Sequence, residues 1–208
     1  MLDLNDWILG QAARDVREWR RSGWSSARVA INVSAQQVMS GNFVGEIERL
    51  LAHHDLPADA IELELTENMV QTGAITVESL RGLRRMGVDT ALDDFGTGYS
   101  SLTSLEQLPL SRVKLDRSVV AEVDTNPRAA AIAGSIIALC RSLGLRVTIE
   151  GVERVSQLGF LAGSGDVDVQ GFLVARPMDA DAVLESVARI AQVMHALLDP
   201  PLREPFPP

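Results

Sequence analysis

Short aliphatic, β-branched runs alternate with amphipathic helical stretches along this chain, and that alternation limits the fold more than any other feature. The strand-like runs are Arg28–Ser34, Ala60–Thr66, Val88–Leu92, Arg112–Leu115, Leu145–Ile149 and Val167–Phe172. Around them, apolar residues recur at helical spacing. Leu4, Ile8, Ala12, Val16 and Trp19 form a leading stripe that Ser22 and Gly23 close. Phe43, Ile47, Leu50 and Leu51 form the next, and Val77, Leu80, Leu83 and Met86 a third, with Gly87 in the usual C-terminal position. A short helix over 99–108, a stripe of Ile132, Ile136, Leu139 and Leu143, and a helix over 152–162 follow. Val183, Leu184, Val187, Ile190 and Val193 make the last stripe, with Asp179 as its N-cap. Strand–helix alternation of this kind implies an α/β fold with a parallel sheet covered by helices. An open doubly wound sheet and a (β/α)8 TIM-type barrel both satisfy it. The barrel needs eight strands and typically about 250 residues. The leading helix has no strand before it, so the expected fold is TIM-barrel-like with six of its eight strands present. A barrel opened in this way is expected to leave two unpaired strand edges and an uncovered apolar interior.

Composition narrows the function classes. The 208 residues carry a net charge of −9 and a pI near 4.8. A nucleic acid polymer is therefore an unexpected partner, since gripping its phosphates takes clustered Lys and Arg. The single Cys140 excludes an internal disulfide and any multi-cysteine zinc cluster. Aromatics are only 4%, so the core must be aliphatic. The longest uncharged apolar run, 129–140, is far shorter than the roughly 20 residues of a membrane helix, so no membrane insertion is expected. The first six residues lack the basic segment and apolar stretch of a signal peptide, and the expected location is cytoplasmic. Residues 1–198 read as one domain. Residues 199–208 hold five of the nine prolines and read as a Pro-rich tail.

The polar residues carry the functional signal through their position. Each strand run ends in a chemically useful group: Asn32 and Ser34, Glu64 and Glu67, Asp93 and Asp94, Lys114 and Asp116, Glu150, and Gln170. In a parallel barrel these carboxyl ends converge on one face, where such barrels keep their chemistry. One acid at a strand end is most often a helix N-cap. Six successive strand ends bearing polar groups are hard to explain that way. Buried carboxylates are costly unless paired or metal-bound. Oxygen ligands without Cys or His point to Mg²⁺ or Mn²⁺. Two such ions about 3.5–4 Å apart are the standard arrangement for in-line attack on a phosphate ester. Asp94-Phe95-Gly96 matches a kinase triplet, but the other kinase motifs are missing. Gly96-Thr97-Gly98 is too generic for a nucleotide fingerprint. His53 and His54 are expected to face solvent or cap a helix end, and Cys140 to be a small core residue.

These motifs, in this order from about Leu4 to Met178, resemble the EAL domain, the cyclic di-GMP phosphodiesterase family of bacterial signalling. Asn32-Val33-Ser34 and Glu64-Leu65-Thr66-Glu67 are similar to its NxS and ExTE segments. The run from Asp93 through Phe95, Gly96 and Gly98 to Leu102 is similar to its most specific signature. Val113-Lys114-Leu115-Asp116, Glu150-Gly151-Val152-Glu153, and Gln170-Gly171-Phe172 with Pro177 complete the set. The resemblance implies that Asn32, Glu64, Asp93, Asp94 and Glu150 ligate two Mg²⁺ or Mn²⁺ ions. Lys114 would hydrogen-bond the attacking water or a phosphate oxygen. Glu150 is also a candidate general base, although a metal ligand is poorly free to act as one. Glu67 would anchor the loop from Phe95 to Ser101, which is expected to shape the metal site and a homodimer interface. Asp116, Gln170, Glu153 and Pro177 would be supporting or substrate-side groups. The implied reaction opens cyclic di-GMP to linear pGpG. One departure stands out: the Glu-Ala-Leu tripeptide that names the family, with its metal-ligating Glu, occurs nowhere in the 208 residues. The leading helix resembles the element that follows that tripeptide, so the two absent strands are the ones expected to carry it. A catalytically inactive domain that binds the dinucleotide or a protein partner is the alternative.

Overall fold

A computed structural model of the chain describes residues 4–39, 41–66, 68–69, 75–97, 105 and 108–198. Helix α1 (Leu4–Arg21) leads into β1 (Val29–Asn32), followed by α2 (Ala35–Met39) and α3 (Phe43–His54). Strand β2 (Ile61–Thr66), α4 (Val77–Met86), β3 (Asp89–Phe95), β4 (Arg112–Leu115) and α5 (Arg117–Val120) come next. The chain continues through α6 (Pro127–Ser142), β5 (Arg146–Ile149), α7 (Val155–Ala162), β6 (Asp168–Val169) and α8 (Ala180–Leu198). The six strands lie side by side in chain order, all parallel, as a curled half-barrel. The expected α/β, TIM-barrel-like sheet of six strands is therefore present.

Local chemistry sets the element ends. Thr76 accepts a hydrogen bond from the Ser79 N–H at the start of α4, and Gly87 takes the left-handed conformation at its end. Asn126 caps α6 through the Arg128 and Ala129 N–H groups, with Pro127 in the first turn. Two short helices, α2 and α5, were not legible as stripes because each is about one turn. The expected strand over Val167–Phe172 shrinks to the two residues of β6. After Gln170 the chain turns onto the β5 side, where a Cβ on Gly171 would meet Val152 backbone atoms at 2.2–2.8 Å. Conversely β3 outlasts the expected Val88–Leu92 and carries Asp93 and Asp94 within the strand. All of the helix expected over 99–108 except residues 105 and 108, together with Glu67, loop residues 98–101 and the tail 199–208, lies outside the described residues.

The two faces of the sheet differ in kind. In a parallel sheet, residues in lateral register share a face and alternate along each strand. Ile61, Leu63 and Leu65 of β2, Leu92 of β3, Leu115 of β4 and Ile149 of β5 point to the helices and are almost wholly buried. Each such side chain contributes about 1.5–3 kcal/mol through burial. Cys140 joins this core as expected. The concave face corrects the expectation of an apolar interior. Its lower tier is a self-neutralising network of three guanidinium groups and three carboxylates: Arg28, Arg112 and Arg146 with Glu62, Asp89 and Asp168. Arg112 Nε lies 3.0 Å from Glu62 Oε2, and Arg28 lies 2.6 Å from Asp89 Oδ2. His54 is a second correction. It is 7% exposed and packs edge-on against His53, because the chain turns at Asp55 in the left-handed conformation. Burial, then His53, Arg14 and Arg17, lower its pKa and favour the neutral ring. Among the described residues no helix is long and apolar enough to cross a membrane.

Candidate active site

One tier above that network, at the carboxyl ends of the strands, the charges do not balance. Lys114 projects from the centre of the sheet. Its Nζ lies 2.7 Å from Glu64 Oε1, 2.7 Å from Glu150 Oε1 and 3.0 Å from Asp93 Oδ1. These partners come from β2, from the residue after β5 and from β3, so one ammonium bridges three strand ends. Burial alone would lower the Lys114 pKa, but hydrogen bonds to Glu150 and Glu64 outweigh it and hold the ammonium well above the ordinary lysine range. Burial pushes the Glu64 carboxyl up against the pull of Lys114, and Asp93 and Glu150 add to the upward push. Burial, then Asp93 and Asp116, raise Asp94.

Asp94 reaches this cluster through a backbone irregularity. Neighbouring residues of a strand normally point to opposite faces, so Asp93 and Asp94 should not act together. From Leu92 to Phe95, β3 advances three residues while β4 advances two, from Val113 to Leu115. That is a β-bulge, with Asp94 in the left-handed region at φ 57°. Aspartate is one of the few residues that adopts this conformation readily. As a result, carboxylate oxygens of Asp93, Asp94 and Glu150 all lie within 4.8 Å of one another.

The donor set fits a divalent cation. Four carboxylates, Glu64, Asp93, Asp94 and Glu150, face one ammonium, and the donors are all hard oxygens. Asp93 Oδ1 is buried, and among the described residues its one close partner is the Lys114 ammonium at 3.0 Å, which it shares with Glu64 and Glu150. Four clustered carboxylates sharing one ammonium leave negative charge uncompensated, and a divalent cation is a partner that would balance it.

The remaining expected site residues are placed more loosely. Asn32 stands opposite Glu64 in the β1–β2 register, at an exposed position of the edge strand. Asp116 caps α5 by accepting from the Ser118 N–H, and it also lies in the electrostatic surroundings of Asp94. Gln170 continues β6 with an exposed side chain, and its N–H donates to the Ile149 carbonyl at 2.8 Å. Glu153 is exposed, and its N–H donates to Gln157 Oε1. Pro177 lines a groove of about 370 Å³ with Met178, Ile190 and Val193, and none of the four carboxylates borders it. Glu67 is among the residues not described.

Two features of the site were not foreseen. Gly151, directly after Glu150, has φ 66°, and a Cβ there would sit 2.3 Å from Arg117 Cβ, so only glycine lets the chain leave β5 this close to α5. The lower tier was also missed, although it is written in the sequence. Glu62, Arg112, Thr148 and Asp168 each stand two residues before a candidate site residue, the spacing that puts both on one face of a strand.

Comparison with known proteins matches this geometry. The family model of the EAL domain matches residues 1–177. The cyclic di-GMP phosphodiesterase NbdA of Pseudomonas aeruginosa is 40% identical over 205 residues, which is 98% of this chain and 26% of that protein. The bifunctional diguanylate cyclase/cyclic di-GMP phosphodiesterase MucR of the same organism is 39% identical over 189 residues, 90% of this chain and 28% of that protein. The chain thus spans about a quarter of the length of these relatives. The structure of the PaMucR phosphodiesterase in complex with c-di-GMP has a TM-score of 0.77 at 38% identity, covering 85% of this chain and 72% of that one. The manganese/cy-diGMP complex of Klebsiella pneumoniae BlrP1 has a TM-score of 0.73 at 28% identity, covering 85% and 46%. Motif order, sheet order and the carboxylate rim agree with the family match: the chain belongs to the EAL domain family.

Proposed function

We propose that this chain carries the catalytic face of a metal-dependent phosphodiesterase that hydrolyses cyclic di-GMP to linear pGpG. The observation that carries the reading is the rim itself, where Lys114 is held by Glu64, Asp93 and Glu150 while a bulge adds Asp94. Asn32, Glu64, Asp93, Asp94 and Glu150 would hold two Mg²⁺ or Mn²⁺ ions, which supply Lewis-acid activation of water and of the phosphate. Lys114 keeps its proton throughout. Its three carboxylate contacts hold the ammonium at the rim, and it is assigned to orient a water or a phosphate oxygen. Glu150, half-buried and 2.7 Å from the Lys114 ammonium, is assigned chiefly as a metal ligand and is also the candidate general base, a role that ligation to the metal limits. Gln170, Asp116, Glu153 and Pro177 are assigned to the substrate side. Glu67 is assigned to anchoring the Phe95–Ser101 loop, through which a cytoplasmic homodimer would form.

The test is conversion of cyclic di-GMP to pGpG by the chain with Mg²⁺ or Mn²⁺, repeated after chelation. Asp93→Asn is expected to abolish metal binding in calorimetry, and Lys114→Ala to remove most turnover. Full turnover that resists chelation would sink the metal-site assignment. A second reading is a receptor that binds the dinucleotide without cleaving it. Tight cyclic di-GMP binding with no product in the presence of metal would favour that reading. Light scattering tests the homodimer.

A further inference from the structure

Strand β6 is the least anchored strand of the sheet. It has two residues, lies at an edge and pairs only with β5, through Thr148–Asp168 and Ile149–Val169. Past it, three backbone hydrogen bonds tie the chain to β5 and its exit: the Gln170 N–H donates to the Ile149 carbonyl at 2.8 Å, the Gln170 carbonyl accepts from the Val152 N–H at 3.1 Å, and the Leu173 N–H donates to the Val152 carbonyl at 3.0 Å. Short edge segments with so few backbone bonds open before the rest of a domain. Gln170 shares the concave face with Asp168 and stands next to Glu150 in register.

Against that light anchoring stands one long tie. Arg112 on β4 reaches across β5 to the Asp168 carboxylate. Its guanidinium is already fixed when it meets that acid. Arg112 is 7% exposed, its Nη1 donates to Thr148 Oγ1 at 2.7 Å, and its Nε donates to Glu62 Oε2 at 3.0 Å. A flexible surface pair contributes little, because both side chains lose freedom on pairing. Here only the Asp168 side is free, and a planar guanidinium held on two other edges fixes both distance and direction. The tie joins the centre of the sheet to its edge.

We propose that Asp168 is a positioning residue: through Arg112 it fixes the register of β6 and so holds Gln170 at the rim beside Glu150. The proposal rests on the reading of Gln170 as a substrate-side group. Asp168 does not touch the substrate, and its effect passes entirely through the residue two places later.

The experiment uses the full chain and the variants Asp168→Asn, Gln170→Ala and their combination. Hydrogen exchange needs no ligand and reports on the tie directly. In Asp168→Asn the Gln170 and Val152 amides are expected to exchange about fivefold faster, the factor equivalent to losing a pair near the top of the exposed range. The amides of Leu63 and Leu92 keep their wild-type rates. Asp168→Glu, which retains the charge, restores most of the protection. Calorimetry with cyclic di-GMP and Ca²⁺ gives the second arm. Asp168→Asn and Gln170→Ala each weaken binding, and the double variant binds no more weakly than Gln170→Ala alone. Unchanged exchange at Gln170, an equal rise at every amide, or additive losses in the double variant would each overturn the proposal. If Gln170→Ala alone leaves affinity untouched, the substrate-side reading of Gln170 fails, and the exchange arm alone decides whether Asp168 fixes β6.

Discussion

Replacing Lys114 with methionine tests the charge imbalance at the rim. The substitution keeps much of the aliphatic stem and removes the ammonium from Glu64, Glu150 and Asp93, now 2.7, 2.7 and 3.0 Å away. Removing one partner of a buried charge pair costs about 3–5 kcal/mol, because the other is left buried and unpaired. Protonation moderates that loss. Glu64 and Asp94 already sit above their ordinary pKa values, and losing the lysine, which pulls both down, raises them further. A carboxyl whose folded pKa lies above its unfolded value destabilises progressively as pH rises from the unfolded toward the folded value. The penalty in Lys114→Met is therefore small near pH 4 and grows as pH rises above it. At about 2–4 °C per kcal/mol for a chain of this size, melting at pH 8 should fall by about 10 °C without metal. Mn²⁺ should return more of that loss to the variant than it adds to wild type, since the variant's carboxylates have only the cation to satisfy them. The assay is thermal denaturation at pH 4.5 and pH 8, with and without Mn²⁺. A variant that melts like wild type at pH 8 in the absence of metal would refute the view that Lys114 compensates buried carboxylates.

Other expectations follow from single contacts. Asp94→Val should lower stability by about 1–3 kcal/mol, the strain of a β-branched residue in the left-handed region, while Asp94→Asn melts near wild type and weakens Mn²⁺ binding in calorimetry. Burial works against the Asp89 charge, but hydrogen bonds from Ser111 and Arg146 hold its pKa below the ordinary value, so Asp89→Asn should destabilise by about 1–2 kcal/mol at pH 7. That difference is complete above pH 3.8 and should vanish as pH falls through the native pKa, which urea denaturation as a function of pH will show. Burial pushes the Cys140 thiol up to about 11, so a thiol reagent at pH 8 should label the chain only after unfolding.

Much of the fold was written in local pattern, and its departures have identifiable causes. Six strand runs in order, each feeding a helix, yield a parallel sheet because crossover helices leave no other arrangement, and the sheet has that order. The ends of β3 and β6 were misplaced because local propensity does not see tertiary partners. Asp93 stays in its strand because Lys114 lies across from it, and β6 stops early where Gly171 meets the Val152 backbone. Glu64, Asp93, Lys114 and Glu150 were legible as a site because strand ends converge. The bulge that recruits Asp94 was not, since nothing in Asp93-Asp94 distinguishes it from a regular strand pair. The charged interior was legible in Glu62-x-Glu64 and Arg112-x-Lys114, where polar residues alternate in strands that ought to be aliphatic on both faces.

That charged interior bears on how such a sheet comes together. While a parallel sheet assembles, the inner faces of its strands are transiently exposed. An aliphatic inner face would make that stage adhesive, and open parallel sheets are slow to form and prone to aggregate. With Arg28, Glu62, Asp89, Arg112, Arg146 and Asp168 already neutralising one another, the concave side is hydrophilic and offers little for another chain to stick to. The helix-facing side supplies the apolar driving force, while the inner side is held together by its own ion pairs.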